Sequence, residues 1–249
     1  MLGKYIRVRV THPIHAQDPQ RGVCYPLNFG VAEGGKQFTR NIRGVYIMGI
    51  SHPVRSFDGR VIAILRRPDE GDLLIAAPRK AKFIDPQIRA ALAPTEGADG
   101  YTLECLYERS CGAIVYRIIN DELRFLLIRN KRSTYWGFPK GHMERDETKE
   151  DTARREVLEE TGLHITIIPH FSAKSEYTIQ GKVEKAVTIF LASTEDTQTV
   201  IQQEEIDDYV WYNYDKAYQV LKFDNDRQII KRAYEFIQKH HLTGGNLHG

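Results

Sequence analysis

This 249-residue sequence has few cysteines, no long apolar run and little excess charge of one sign. Its three cysteines, Cys24, Cys105 and Cys111, form no CxxC pair, which fits reduced thiols in a cytoplasmic protein better than a disulfide framework. No stretch approaches the roughly eighteen apolar residues of a spanning helix, and the start MLGKYIRVRV resembles neither a signal peptide nor a membrane anchor. A formal charge of +2 gives no reason to expect nucleic acid or an acidic membrane as a partner.

The sequence predicts two domains and a tail. Residues 1–100 contain short apolar and β-branched runs separated by turns, and eight of the ten prolines come before residue 95. Proline, glycine and small polar residues make 93–102 the predicted linker. Residues 101–241 mix strand and helix patterns, and we expect 242–249 to be a flexible tail. One helical face of the last predicted helix is apolar and comprises Ile229, Ile230, Ala233, Phe236 and Ile237.

The segment 141–163, GHMERDETKEDTARREVLEETGL, contains eight carboxylates in twenty-three residues. Thr148 and Asp151 have the spacing of a capping box, and Gly162 is a typical residue for ending a helix, so a helix of about four turns is predicted between them. Some of its charges are explained as solvated i,i+4 pairs, Glu150 with Arg154 and Asp151 with Arg155.

Three carboxylates of this helix are not explained by such pairs. Glu156, Glu159 and Glu160 lie within an arc of about 100°, and the i,i+4 pair of Glu156 and Glu160 is repulsive. Three carboxylates that point together favour a bound cation. Oxygen ligands without His or Cys favour Mg²⁺ as the cofactor, with Mn²⁺ as the alternative.

The segment resembles the Nudix box, G-x5-E-x7-R-E-U-x-E-E-x-G-U, where U is aliphatic. All nine fixed positions are filled, by Gly141, Glu147, Arg155, Glu156, Val157, Glu159, Glu160, Gly162 and Leu163. The resemblance implies an α/β/α Nudix sandwich over a mixed sheet. It also implies hydrolysis of a nucleoside diphosphate linked to another group.

The resemblance implies roles for the residues of the box. Glu156, Glu159 and Glu160 are expected to hold the metal, with Glu160 also catalytic, and Arg155 is expected to orient the glutamates. Gly141 and Gly162 are expected to permit the backbone geometry of the loop and helix. Glu147 is expected to support the site or the loop without being catalytic.

Outside the box, WGFPKGHME and the carboxy-terminal region resemble the asymmetrical diadenosine tetraphosphate hydrolases and their diphosphoinositol-hydrolysing relatives. On this resemblance Glu205 is the expected base, with Glu204 or Glu160 as rivals. Expected substrate contacts are Lys140, Tyr177, Lys182 and Lys185; the alternative for Lys140 is an ordinary surface residue, and the alternative for Tyr177 is a core residue. The alternative substrates are RNA 5′ ends, diphosphoinositol phosphates and damaged nucleoside triphosphates, and a nucleotide sensor is the alternative of another class. Nucleic acid is expected as a partner only if an RNA 5′ end is the substrate; the sequence does not predict the oligomeric state.

The amino-terminal region resembles family I inorganic pyrophosphatases, through YPLNFG (25–30) and RVIAILRRPDEGDLLIAAP (60–78). This implies a five-stranded, OB-like β-barrel. Where that family has three aspartates this chain has Arg43, Val45 and Met48, and Asp69 and Asp72 alone cannot assemble a cluster of several Mg²⁺ ions. We therefore expect a non-catalytic barrel. Its scattered basic residues have two interpretations, a solvated surface or an anion-binding face: Arg40, Arg43, Arg55, Arg66, Arg67, Arg79 and Lys80.

Overall fold

The computed structural model describes residues 1–34, 41–68, 70–179 and 181–242. Arg40, Asp69 and residues 243–249 of the predicted tail lie outside the described residues. Contacts divide the chain into two compact units. Unit 1 comprises Met1–Glu108 together with Tyr177–Lys185, and unit 2 comprises Arg109–Glu176 together with the chain from Ala186 onwards.

Unit 1 contains a closed five-stranded barrel, as expected. Its strands are β1 (Tyr5–His12), β4 (Asn28–Glu33), β5 (Ile42–Ile47), β6 (Ser56–Arg66) and β7 (Asp72–Ala77). The order is β1-β4-β5-β7-β6, and β6 pairs back to β1 to close the barrel. Two short strands, a helix and an additional strand complete the unit: β2 (Gln17–Asp18), β3 (Val23–Cys24), α1 (Asp85–Glu96) and β8 (Thr102–Cys105), which pairs with β6.

Two of the three positions singled out by the predicted resemblance of the barrel carry buried apolar side chains. Val45 and Met48 are buried, since β5 and β7 lie side by side with near-continuous apolar runs. Arg43 forms ion pairs with Glu70, at 2.8 Å, and with Glu96, at 3.6 Å. Asp72 is bound by Arg66 at 2.7 Å.

The linker predicted over 93–102 is wrong in its first part, because residues 93–96 form the last turn of α1. Pro94 lies in that turn, and Gly97, with a φ of 76°, follows the helix. The turn is held by tertiary contacts. The Tyr46 hydroxyl donates to Glu96 Oε1 at 2.6 Å, and the Glu96 side chain is buried.

Unit 2 is built on a mixed, seven-stranded sheet with helices. The elements that form it are β9 (Tyr107–Ile119), β10 (Glu122–Asn130), β11 (Trp136–Gly137), β12 (Lys140–His142), β13 (Thr166–Ile179), β14 (Val183–Ser193), β15 (Ile206–Tyr212), α2 (Lys149–Thr161), α3 (Tyr214–Val220) and α4 (Asp224–Lys239). The main path of the sheet is β11-β10-β9-β14-β13, with β12 paired to β9 and β15 paired to β10. Strand β13 is long and continuous, with fourteen residues.

The two faces of this sheet carry separate apolar cores because successive side chains of a strand point to opposite faces. Ile114 and Tyr116 of β9 pack in one cluster with residues of α3 and α4, including the predicted apolar face of α4. Ala113 and Val115 pack in another cluster with α2. The arrangement is the expected α/β/α sandwich, and Leu242 also packs against the first cluster.

Among the described helices, none combines the length and the hydropathy that crossing a bilayer requires.

Candidate active site

Helix α2 forms where its caps predict it. Thr148 Oγ1 accepts a hydrogen bond from the Asp151 main-chain N–H at 3.1 Å, and Asp151 Oδ2 accepts from the Thr148 N–H at 3.2 Å. Gly162 ends the helix in the left-handed conformation, with a φ of 69°, and its N–H donates to the Leu158 carbonyl at 2.8 Å. The predicted capping box and glycine stop are therefore confirmed.

Arg155 is the centre of a hydrogen-bond network that joins the helix to the preceding loop. Its Nε and one terminal nitrogen bind both oxygens of Glu147, at 2.6 and 3.0 Å. The other terminal nitrogen binds Glu156 at 2.9 Å and Glu159 at 3.0 Å. The His142 carbonyl accepts a further bond at 2.9 Å. These five bonds position the loop and two of the three glutamates.

The network also changes the electrostatics of Glu147. Its hydrogen bonds with Arg155 lower the pKa of the Glu147 carboxyl from 4.5 to about 2. The predicted ion pair of Asp151 with Arg155 is wrong, because Arg155 binds Glu147, Glu156 and Glu159 instead. Asp151 pairs instead with Arg154, at 3.7 Å.

Glu160 is the buried carboxylate of the site, with a relative exposure of 5%. Its Oε2 accepts a hydrogen bond from the Lys140 main-chain N–H at 2.9 Å. Burial, followed by the charge of Glu156, raises the pKa of the Glu160 carboxyl to about 8. Burial also raises the pKa of Glu156. A side chain at position 141 would overlap the Glu156 carboxylate, so Gly141 allows this close approach.

The donor chemistry of these residues fits a hard divalent cation. Glu156 and Glu160 are neighbouring, largely buried carboxylates, and such a pair is stabilised when a cation neutralises it. Glu156 and Glu159 both point to Arg155, and within the described ranges no three His, Cys, Asp or Glu side chains are already arranged around a common point. Binding of metal at all three glutamates would therefore require Glu159 to turn away from Arg155.

Glu205 lies beside the helix, on the loop before β15. The Gln202 N–H donates to the Glu160 carbonyl at 3.3 Å, and the Glu205 N–H donates to the Gln202 carbonyl at 3.1 Å. The negative charge of Glu205 contributes to the raised pKa of Glu160, so the two carboxylates are within electrostatic reach. Glu204, the alternative candidate for the base, is not among the charges that raise the pKa of Glu160.

Two residues at the start of α4 did not stand out in the sequence. Burial raises the pKa of Asp226, and the charge of Lys140 opposes this, so the first turn of α4 lies near Lys140. One turn earlier Phe223 is 53% exposed, and its ring is 5.6 Å from that of Tyr135. Asp226 did not stand out because acidic residues are common in the first turn of a helix. The sequence shows that Phe223 precedes an acidic turn, but it does not reveal that the Phe223 side chain is exposed.

The remaining predicted contacts lie in unit 1. Tyr177 is 48% exposed and is not a core residue. The Lys185 side chain is 16% exposed, and its Nζ is 3.4 Å from Glu108 Oε2. Lys182 lies in the turn of the hairpin, directly before β14, and its N–H donates to the Ile179 carbonyl at 3.0 Å. The structure thus brings Lys140, Glu156, Glu160 and Glu205 together in unit 2, while Tyr177, Lys182 and Lys185 form a separate group.

Comparison with known families identifies the class. The NUDIX domain model matches residues 109–234, which is half of the chain, and the chain therefore belongs to the Nudix family. It is an enzyme of the Nudix pyrophosphohydrolase class.

Individual relatives share this region. An asymmetrical bis(5′-nucleosyl)-tetraphosphatase of Sus scrofa is 30% identical over 140 residues, covering 52% of this chain and 95% of the relative. An m7GpppN-mRNA hydrolase of Saccharomyces cerevisiae is 30% identical over 120 residues, which cover 48% of this chain and 12% of the relative. Among solved structures, an Ap4A hydrolase binary complex of C. elegans is 22% identical with a TM-score of 0.49, covering 53% of this chain and 98% of that one.

Proposed function

We propose that the protein hydrolyses dinucleoside tetraphosphates asymmetrically, converting diadenosine tetraphosphate and water to ATP and AMP. The observation that carries the reaction type is the pair Glu156 and Glu160, buried against the backbone of Lys140 and Gly141. The substrate class is supported by similarity to the Sus scrofa enzyme over nearly its whole length. A cytoplasmic location, expected from three unpaired cysteines, is part of this proposal.

Glu156, Glu159 and Glu160 would hold Mg²⁺, with Mn²⁺ as the alternative. Nudix hydrolases generally use divalent metals, which neutralise phosphate charge when bound. Glu160 must then be ionised, and its neighbour Glu205 would accept the proton of the attacking water. Arg155 would fix the position of the loop relative to the glutamates through its two hydrogen bonds with Glu147.

Polyphosphate binding is assigned to lysines, and base binding to exposed aromatic rings. Lys140 lies directly before Gly141 and close to the metal glutamates, so its ammonium would meet a phosphate as a point charge. Phe223 with Tyr135, and Tyr177 on the hairpin, are exposed rings of the kind that stack on bases.

A second candidate is hydrolysis at RNA 5′ ends, which the Saccharomyces cerevisiae relative favours. That similarity spans 12% of the relative, whereas the similarity to the tetraphosphatase spans 95%. Diphosphoinositol phosphates and damaged nucleoside triphosphates remain alternative substrates. A purely nucleotide-sensing role is the alternative of another class, and the complete set of box glutamates weighs against it.

We also propose that residues 1–100 form a pyrophosphatase-like barrel without catalytic activity. Its support is the barrel closure together with the buried Val45 and Met48 where acids would be needed. Under this proposal residues 101–241 form the catalytic domain.

Product analysis with purified protein tests the function. Diadenosine tetraphosphate should give equimolar ATP and AMP in the presence of Mg²⁺, with ¹⁸O from labelled water in only one of them. Glu205→Gln should lower kcat about 100-fold with little change in KM, while the matched control Glu204→Gln keeps wild-type kinetics. ADP as the main product, or rapid cleavage of a capped RNA alone, would contradict the substrate assignment.

A further inference from the structure

A buried carboxylate in unit 1 is surrounded by three arginines. The Glu96 side chain, at the end of α1, is only 1% exposed. Arg21 lies between β2 and β3, Arg43 lies in β5, and Arg67 directly follows β6. Their side chains are 39%, 31% and 16% exposed, so solvent reaches the guanidinium groups although it does not reach the carboxylate. All four residues belong to the same compact unit.

Glu96 is held firmly, yet one of its oxygens has no hydrogen bond. Its Oε1 accepts from the Tyr46 hydroxyl at 2.6 Å, and its main-chain carbonyl accepts from Arg67. Its Oε2 is buried, and none of the described residues donates a hydrogen bond to it. One terminal nitrogen of Arg43 and one of Arg67 lie 3.6 Å from this oxygen. Because a buried acceptor without a hydrogen bond is costly, Oε2 is an acceptor that a ligand can satisfy.

Glu70 contacts the other terminal nitrogens of the same two arginines. Its Oε2 lies 2.8 Å from Arg43 Nη1 and 3.3 Å from Arg67 Nη1, so one carboxylate oxygen bridges both guanidinium groups. The Glu70 side chain is 50% exposed, and ion pairs of such exposed groups contribute little stability. An anion from solution can therefore replace Glu70 between the two arginines.

The charge of the cluster favours an oxyanion. Its ion-paired members carry three positive charges, on the arginines, and two negative charges, on Glu70 and Glu96. Once Glu70 is replaced, three positive charges and one negative charge face the incoming anion. Guanidinium groups match the geometry of phosphate oxygens and bind them through two nitrogens.

The buried Oε2 of Glu96 selects the protonation state of that anion. A carboxylate oxygen repels a fully ionised oxyanion, but it accepts a hydrogen bond from a P–OH group. Inorganic phosphate keeps at least one proton at neutral pH, whereas sulfate, which has a similar size and shape, keeps none. Two arginines beside one buried acceptor therefore distinguish phosphate from sulfate.

We propose that this cluster is a binding site for inorganic phosphate. The anion takes the place of Glu70 between Arg43 and Arg67, and its P–OH group donates a hydrogen bond to Glu96 Oε2. Arg21, which lies 3.5 Å from Glu96 Oε1, balances the buried charge from the other side. No covalent bond is made or broken, so the barrel binds phosphate without catalysis. The inference is independent of the proposed function, because every residue involved lies in unit 1.

Calorimetric titration of the full chain with phosphate and with sulfate tests the site. A chelator is present, so that no metal holds phosphate at the carboxylates of α2. The wild type should bind phosphate at least about tenfold more tightly than sulfate, because sulfate leaves the buried acceptor unsatisfied. Arg43→Gln should weaken phosphate binding at least about tenfold, since it removes one guanidinium contact. Arg66→Gln is the matched control and should bind like the wild type, because Arg66 pairs with Asp72 and Glu104 instead.

Two further variants test the carboxylates separately. Glu96→Gln should bring the affinities for phosphate and sulfate within about threefold of each other, because an amide can donate a hydrogen bond to sulfate. Glu70→Ala should raise the affinity for phosphate about two- to fivefold, since it removes the group that competes for both arginines. Its matched control is Glu104→Ala, which breaks another exposed ion pair of unit 1 and should leave the affinity unchanged.

The proposal is overturned if the wild type binds phosphate and sulfate equally, or if Arg43→Gln and Arg66→Gln bind phosphate alike. Absence of phosphate binding also overturns it. If Arg43→Gln in addition has a lower melting temperature, the arginines serve only to neutralise the two carboxylates. Should Arg43→Gln or Glu96→Gln fail to fold, the wild-type preference for phosphate and the half-exposed position Glu70 carry the test. An unchanged affinity in Glu70→Ala then contradicts the proposal.

Discussion

Replacing Glu160 by Gln removes one buried charge and keeps the shape of the side chain. In the metal-free wild type, burial and the charge of Glu156 raise the pKa of the Glu160 carboxyl from 4.5 to about 8. The folded state therefore binds this proton more tightly than the unfolded state does. Wild-type stability should fall as the pH rises from about 4.5 to about 8, and the Gln variant should lack this contribution.

The size of the effect follows from the two pKa values. One pKa unit corresponds to about 1.4 kcal/mol, so the difference between 4.5 and about 8 amounts to about 5 kcal/mol at full ionisation. About half of this falls between pH 6 and pH 8.5. Across that interval the unfolding free energy of the wild type should drop by about this amount relative to Glu160→Gln.

Urea unfolding followed by tryptophan fluorescence measures the effect. The two tryptophans, Trp136 and Trp211, both lie in unit 2, so the signal reports the unit that contains Glu160. The measurement is made at pH 6 and pH 8.5 with a chelator, and repeated with Mg²⁺, which should restore the wild type. Glu159→Gln serves as control, because it makes the same change at a carboxylate of the same helix whose side chain is 52% exposed.

The same variant should lose at least about 100-fold in kcat, since the proposed metal ligand loses its charge. If wild type and Glu160→Gln have the same pH dependence of unfolding without metal, the reasoning about the buried carboxylate is refuted. Near-normal turnover of a folded variant would refute the metal assignment as well.

Three further predictions concern Gly141, Glu147 and the barrel. Gly141→Ala should lower kcat at least about tenfold by displacing the Glu156 carboxylate, whereas Gly137→Ala, where a Cβ meets nothing within 4 Å, should be neutral in a steady-state assay. Glu147 stabilises the fold above its unfolded pKa of 4.5, and that stability is lost as pH falls through about 2. Glu147→Gln should therefore cost about 2 to 3 kcal/mol at pH 7 and much less near pH 2 in denaturant titrations. The full-length Glu160→Gln protein should not release phosphate from inorganic pyrophosphate with Mg²⁺, and turnover in a phosphate assay would show that the barrel is catalytic.

Helix α2 could be predicted closely because its signals are local. The residues that cap it, Thr148, Asp151 and Gly162, act within one turn of the helix ends. The conformations of its glutamates could not be predicted in the same way. Arg155 had several carboxylates within reach, and its choice of Glu147 depends on the path of the loop, which sequence spacing does not specify.

Apolar patterns predicted the strands of unit 1, and the family resemblance predicted the barrel, whereas the boundary between the two regions was harder to predict. Proline and glycine near residue 95 have the composition of a linker, yet Tyr46 and buried Glu96 hold those residues in a helix. That contact joins residues 50 positions apart. Local propensity does not report contacts between residues so far apart. For the same reason it could not reveal the hydrogen bond from Arg60 to Glu184, which are 124 positions apart.

Unit 1 is not one continuous piece of chain, and this affects the order in which it can be completed during synthesis. A ribosome releases residues 1–108 first, but Tyr177–Lys185 belongs to the same unit and emerges some seventy residues later. The barrel can form early, because its strands all precede residue 78. The charged residues of unit 1 that pair with the hairpin, Arg60, Lys82 and Glu108, must then remain open to solvent while helix α2 is made.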